Sequence, residues 1–183
     1  MLSFKGQEVT LEQILDSKEK RKEKQLLLLK NFKQKSIVLV CFTIVMPGKV
    51  KQNTVSSFIF NEGCKEFENF LKINKIEILK KETENKTTGN EAFYIVEGKN
   101  PEEIKMDCIE LEESSNYSRL WDFDVIGKNG NIISREQLGY KERKCLICDE
   151  NSRVCYKRRT HSLLDLQMKI LELTSQIKRK NYD

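Results

Sequence analysis

Residues 120–126 alternate apolar and polar types, so an extended chain sends Trp121, Phe123 and Val125 to one face and Asp122 and Asp124 to the other. Two carboxylates on one patch repel each other unless a cation neutralises them. An Asp-x-Asp pair on a strand is a common way to hold Mg2+ against a polyphosphate, whose oxygens complete the coordination. The plainer alternative is a pair of solvent-facing aspartates on an edge strand. Arg119 beside the pair favours the first reading, because a guanidinium can clamp a phosphate with two parallel hydrogen bonds.

Two basic features could serve the same anion. Pro47-Gly48-Lys49-Val50-Lys51 follows a long apolar run, which puts Lys51 on a tight turn at the C-terminal end of a strand, where α/β proteins often bind ligands. Arg21 and Gln25 lie in a stretch, 17–25, that is nearly all charged, and they face either a phosphate or water.

A third feature is Cys145, Cys148, Cys155 and His161, spaced Cys-x2-Cys-x6-Cys-x5-His around the only histidine. Three thiolates and an imidazole would close a tetrahedral structural Zn2+ site, while the other reading is buried thiols in a core. Arg143, Lys144, Arg153, Lys157, Arg158 and Arg159 make this the most basic stretch of the chain, suited to phosphate, nucleic acid or simply water.

The elements that would position these groups read as one α+β unit, with a mixed or antiparallel sheet and flanking helices. Thr10 with Gln13 forms a capping box, stapled by Val9, that opens a basic helix over 11–31. Residues 37–46 are apolar in succession, as in a central strand covered on both faces, and Pro47-Gly48 ends it. Residues 55–60 read as a neighbouring strand, followed by a helix capped by Asn61 and carrying Phe67, Phe70 and Leu71. Residues 76–79 and 92–96 read as strands on either side of a polar loop. Asn100-Pro101-Glu102-Glu103 is a helix start, with Ile104, Cys108 and Leu111 on the buried side. Asn129-Gly130 predicts a two-residue hairpin turn into Ile132 and Ile133. Ser134 with Gln137 opens a short helical turn, and Ser162 with Asp165 caps a last helix bearing Leu166, Ile170, Leu173 and Ile177.

With 183 residues, 38% of them hydrophobic and 33% charged, the chain has the length and balance of one globular domain over 1–183, ending in a Cys-rich segment at 143–161 and a terminal helix. Its longest apolar run, 37–46, is too short to span a bilayer. Residues 1–10 carry charges where a secretory signal needs apolar residues, which points to the cytoplasm. In that reducing compartment the six cysteines are thiols or metal ligands rather than disulfides. A net charge of +5 suits an anionic partner without selecting its kind.

Taken together, 118–126, then Ile133-Ser134-Arg135, Leu138-Gly139 and Arg143-Lys144-Cys145-Leu146-Ile147-Cys148 resemble the citrate lyase holo-acyl-carrier-protein synthase family. Cys155, Arg158, His161-Ser162 and Leu166 are similar to its C-terminal signature. Residues 11–25, Pro47-Gly48 with Lys51, and Glu112-Glu113 are similar to its N-terminal half. The resemblance implies a nucleotidyl-type transferase, with a nucleotidyltransferase-like fold as an open expectation. It would join the phosphoribosyl end of 2′-(5″-triphosphoribosyl)-3′-dephospho-CoA to a serine of the apo acyl-carrier subunit of citrate lyase and release pyrophosphate. On that implication Asp122 and Asp124 hold Mg2+, Arg119 meets the α-phosphate, and Lys51, Arg21, Arg135 and Arg158 bind the rest. Glu112 is the nearest acidic candidate for a general base. Neither nucleic acid nor membrane is an expected partner. The rival reading is a non-catalytic zinc-ribbon module that binds RNA through the basic segment. The aromatics, 8% of the chain, are scattered and count against base stacking.

Overall fold

Burial on successive residues places one strand at the centre of everything else. The computed structural model describes residues 2–32 and 36–180. Strand β1 (Ile37–Ile44) sits in the middle of a fully antiparallel sheet ordered β2-β3-β1-β4-β5, with β2 at Glu77–Lys86, β3 at Gly89–Glu97, β4 at Trp121–Gly127 and β5 at Ile132–Ile133. Val38, Val40 and Phe42 point to one face, and Ile37, Leu39 and Cys41 to the other. The unbroken apolar run in the sequence is therefore required by helices on both sides.

Helix α1 (Leu11–Asn31) covers the second face, burying Leu28 and Leu29 against Ile37, Leu39, Phe93, Ile95 and Ile126. Its capping box of Thr10 and Gln13 is formed, and Lys128 donates to the carbonyls of Leu29 and Phe32 at its far end. Helices α2 (Thr54–Ile73), α3 (Pro101–Glu113) and α5 (Leu163–Lys180) build the larger core on the first face. Helix α4 (Ser152–Arg158) gives no residue to either core cluster. Among the described residues no helix is long and apolar enough to cross a membrane.

Three expectations about elements need correction. Residues 55–60 are the first turns of α2, not a strand, and the cap is Asn53, not Asn61: the Asn53 side chain accepts from Ser56 N–H while the Ser56 hydroxyl accepts from Asn53 N–H. A 20-residue helical period running through Val55, Ile59, Phe60, Phe67 and Leu71 outweighs the strand preference of Val, Ile and Phe. Gly63 lets that helix come close to the sheet, since a Cβ there would stand 2.4 Å from Phe42 and 2.8 Å from the Trp121 ring nitrogen. The polar loop expected between β2 and β3 is itself strand, pairing out to Lys86 and Gly89, with alternating Lys and Glu that suit an edge. The β4–β5 turn is a three-residue loop, 128–130, because Gly127 N–H bonds to the Asn131 carbonyl. Gly130 takes the left-handed conformation there, at φ +81°.

Candidate active site

Strand β4 carries its alternation into the fold: Trp121, Phe123 and Val125 are buried, while Asp122 and Asp124 share the face opposite. On one side β4 pairs with β1 along its whole length. On the other, β5 reaches only Val125 and Ile126, so among the described residues the edge at 121–123 has no strand partner. Side chains take that place. Glu112 of α3 accepts from Phe123 N–H at 2.8 Å, Lys105 donates to the Phe123 carbonyl at 2.6 Å, and Arg143 donates to the Trp121 carbonyl at 2.7 Å. Each such buried group, left unpaired, would cost about 1–3 kcal/mol.

Glu112, only 1% exposed, organises two arginines. Its Oε1 pairs with Arg143 at 2.6 Å and its Oε2 with Arg135, which also reaches Glu113 at 2.5 Å. Both carboxylate oxygens are thus engaged by guanidinium or amide, an arrangement that anchors Arg135 and Arg143 and leaves the expected general base without a free oxygen. Arg143 goes on to Asp122 at 2.9 Å, whose side chain is 42% exposed. Asp124, two residues along and opposite Cys41, is mostly buried. Burial, and next the charge of Asp122, hold its carboxyl above the usual aspartate range, against the pull of Lys105, Arg21 and Arg143.

Lys51, Arg119, Arg135 and Arg143 line an open cleft of about 2060 Å³. Ile14 of α1, Val45 and Met46 after β1, and Leu163 and Leu166 of α5 supply its apolar wall. Lys51 donates to the Met46 carbonyl at 2.6 Å, and burial together with nearby Lys18 lowers its pKa below the ordinary lysine value. Arg119 donates to the Cys145 carbonyl. Of the residues expected at the site, the fold gathers Lys51, Glu112, Arg119 and Arg135 in this cleft; Asp122 reaches it only through Arg143, and neither Asp122 nor Asp124 lines it. Arg21 lies between α1 and the sheet, paired with Glu91 at 2.7 Å, and Arg158 is exposed on α4; neither lines the cleft. Sequence reasoning missed Arg143 and Lys105 as site residues. Arg143 stood in view as one charge of a basic cluster and as part of the resemblance block, without a role, because its partners Asp122 and Glu112 lie 21 and 31 positions earlier in the chain.

Cys145, Cys148, Cys155 and His161 form a second centre in the wall of the cleft. Their ligand atoms all lie within 4.8 Å of one another, so these four could hold a metal ion. Burial pushes the Cys145 thiol up, but N–H groups of Cys148 and Ile147 outweigh it and bring the group below the usual thiol value. The other three cysteines differ in kind. Cys41, Cys64 and Cys108 are buried in the body of the fold, and burial pushes Cys41 up to about 12 and Cys64 to about 11, the behaviour of inert core thiols.

Comparison with known proteins gives a consistent result. The model of the family described as apo-citrate lyase phosphoribosyl-dephospho-CoA transferase matches residues 9–177. The chain is 32% identical over 158 residues to the apo-citrate lyase phosphoribosyl-dephospho-CoA transferase of Escherichia coli, covering 86% of this chain and 84% of that protein. A Shigella boydii protein of the same name is also 32% identical, with the same coverage. Protein CitXG of Haemophilus influenzae is 30% identical over 171 residues, 93% of this chain, which spans only 36% of that longer protein.

Proposed function

This chain belongs to the apo-citrate lyase phosphoribosyl-dephospho-CoA transferase family, and from that premise we propose that it transfers the phosphoribosyl-dephospho-CoA group to apo-citrate lyase. The donor is 2′-(5″-triphosphoribosyl)-3′-dephospho-CoA and the acceptor a serine of the acyl-carrier subunit. The serine oxygen attacks the α-phosphorus in line, a new phosphodiester bond forms, and the bond to the β-phosphate oxygen breaks to release pyrophosphate. The serine proton passes to water at the open cleft, consistent with a reaction that asks more of positioning and charge than of a base.

The observation that carries this reading is the convergence of Lys51, Arg119, Arg135 and Arg143 on one cleft, with Arg143 bonded to Asp122 of the carboxylate pair. These cations would hold the triphosphate and offset the charge that moves to pyrophosphate. Glu112 acts as a positioning residue, fixing Arg135 and Arg143 by their buried side. A volume of about 2060 Å³ exceeds the roughly 300–1,000 Å³ of ordinary small-molecule pockets and suits an extended nucleotide plus the acceptor's serine loop.

Asp122 and Asp124 fit Mg2+, which takes one or two carboxylates and completes its shell with phosphate and water oxygens. When bound there the ion would neutralise the polyphosphate and offset both the burial and, next to it, the Asp122 charge that raise Asp124. A structural Zn2+ at the four Cys and His donors belongs to the same reading. Arg21, outside the cleft, acts on the carboxylate pair through its charge, which opposes the rise of Asp124. The test is the intact mass of purified acceptor subunit after incubation with this chain, Mg2+ and the triphosphate donor. Gain of the prosthetic-group mass on serine is expected; an unchanged mass under every divalent metal would remove the transferase reading.

A further inference from the structure

One wall of the cleft has almost nothing of its own to hold it up. Between Gly139 and His161 the only buried side chains are Cys145 and Cys155, and Leu146 adds one partly buried contact with the main core. What backbone order exists is a small ribbon, with Lys144 bridged to Asn151, Cys145 N–H bonded to the Glu150 carbonyl at 2.8 Å and Ser152 N–H to the Arg143 carbonyl at 2.9 Å, followed by seven-residue α4. A stretch that buries so little apolar surface cannot offset the entropy of ordering it, and small units of this kind are held by a staple.

The four donors have the dimensions of one. The Cys148 and Cys155 sulfurs are 3.5 Å apart, and the His161 Nε2 lies 3.3 Å from Cys148 and 4.0 Å from Cys155. Tetrahedral zinc with ordinary Zn–S and Zn–N bonds places sulfurs about 3.8 Å apart and sulfur from nitrogen about 3.6 Å. The Ile147 amide approaches the Cys145 sulfur at 3.5 Å, a contact that supports a metal-bound thiolate. Three sulfurs and one imidazole leave no open position, which marks a structural ion rather than a reacting one.

The place of this knot in the chain matters as much as its chemistry. The carbonyl of Cys145 receives the Arg119 guanidinium, and two residues earlier Arg143 binds Trp121, Asp122 and Glu112. We infer that Cys145, Cys148, Cys155 and His161 hold one zinc ion, and that this ion, by fixing the Cys145 carbonyl and the strand of chain before it, sets Arg119 and Arg143 at the cleft and so controls its grip on polyphosphate. The positioning half rests on the reading of the cleft as a triphosphate site; the zinc half does not.

The experiment uses the full chain purified without chelator. Zinc content by elemental analysis is expected to be one ion per chain. Pyrophosphate binding, measured by calorimetry in excess Mg2+, should weaken about ten- to a hundredfold when zinc is withdrawn, the loss expected when charged hydrogen bonds are misplaced, and should return on adding zinc. Cys148→Ala should lose zinc and affinity together, whereas His161→Cys, which keeps four donors, should retain both. His161→Cys guards against a Cys148→Ala protein that merely fails to fold. No zinc in the untreated chain, with Cys145, Cys148 and Cys155 freely alkylated, overturns the site. One zinc whose removal leaves pyrophosphate affinity unchanged overturns the positioning role alone. A zinc-loaded chain that binds no pyrophosphate sinks the triphosphate cleft, and with it the positioning role, while leaving the zinc site standing.

Discussion

Strand β1 buries six residues in succession, Ile37 to Phe42, whereas the stretch from Gly139 to His161 buries two, both cysteines. The first region is held by apolar area: each fully buried Val, Leu, Ile or Phe contributes roughly 1.5–3 kcal/mol, spread over two faces of the sheet. The second contains ion pairs such as Arg153 with Glu142 and Lys144 with Asp149, exposed and worth little each. Yet the cleft lies between these regions and draws cations from both. Lys51 follows β1, while Arg143 stands at the edge of the cysteine segment. The contrast teaches that the scaffold and the closing wall answer to different forces, so mutations should separate them.

The largest stability effect is expected at Glu112, the joint between the two regions. Glu112→Gln leaves Arg135 and Arg143 without their buried anion and weakens the bond to Phe123 N–H. The destabilisation should be about 3–5 kcal/mol, read from urea or thermal unfolding. A change under 1 kcal/mol would mean that the arginines are held from elsewhere. Next comes the scaffold's own packing. Gly63→Ala forces a methyl onto Phe42 and Trp121 and should cost about 1–3 kcal/mol while leaving the metal content of the cysteine cluster untouched.

A smaller, pH-dependent effect is expected at Asp124. Its folded pKa is raised, so the carboxyl's contribution to stability is present at acid pH, below the range where an unfolded aspartate titrates. That contribution is lost as pH rises through the raised folded value. Near neutrality the ionised side chain therefore costs stability in Mg2+-free buffer. Asp124→Asn should melt at an equal or higher temperature than the parent at pH 7, and the advantage should disappear in acid. A variant that is less stable at pH 7 would place Asp124 in a structural network instead.

Much of the architecture could be read from local signals because those signals were local in cause. The boxes at Thr10 and Asn100 depend on residues three apart, and the face shared by Asp122 and Asp124 follows from the period of a strand. Residues 55–60 have the β-branched and aromatic types of a strand over a short window, while the Asn53–Ser56 cap just ahead of them and the longer helical period decide for a helix. At the candidate site, Lys51 and Arg119 could be picked out by charge and neighbourhood, and Arg135 only through the family resemblance. The role of Arg143 could not, since it depends on α3 covering an edge of β4 that β5 is too short to pair. Glu112 is a similar case: its acidity is legible in the sequence, while its burial against two arginines is a tertiary fact.

On the function proposed above, the reacting phosphate meets Mg2+ held by Asp122 and Asp124 at the edge of the cleft, while the cysteine segment shapes its wall. Asp122→Asn tests that most directly, because the residue is partly exposed and its loss should not unfold the chain. The single-turnover rate of prosthetic-group transfer to the acceptor subunit, followed by intact mass, should fall on the order of 10²- to 10³-fold with the melting temperature unchanged. Near-normal turnover in folded Asp122→Asn would move the chemistry off β4.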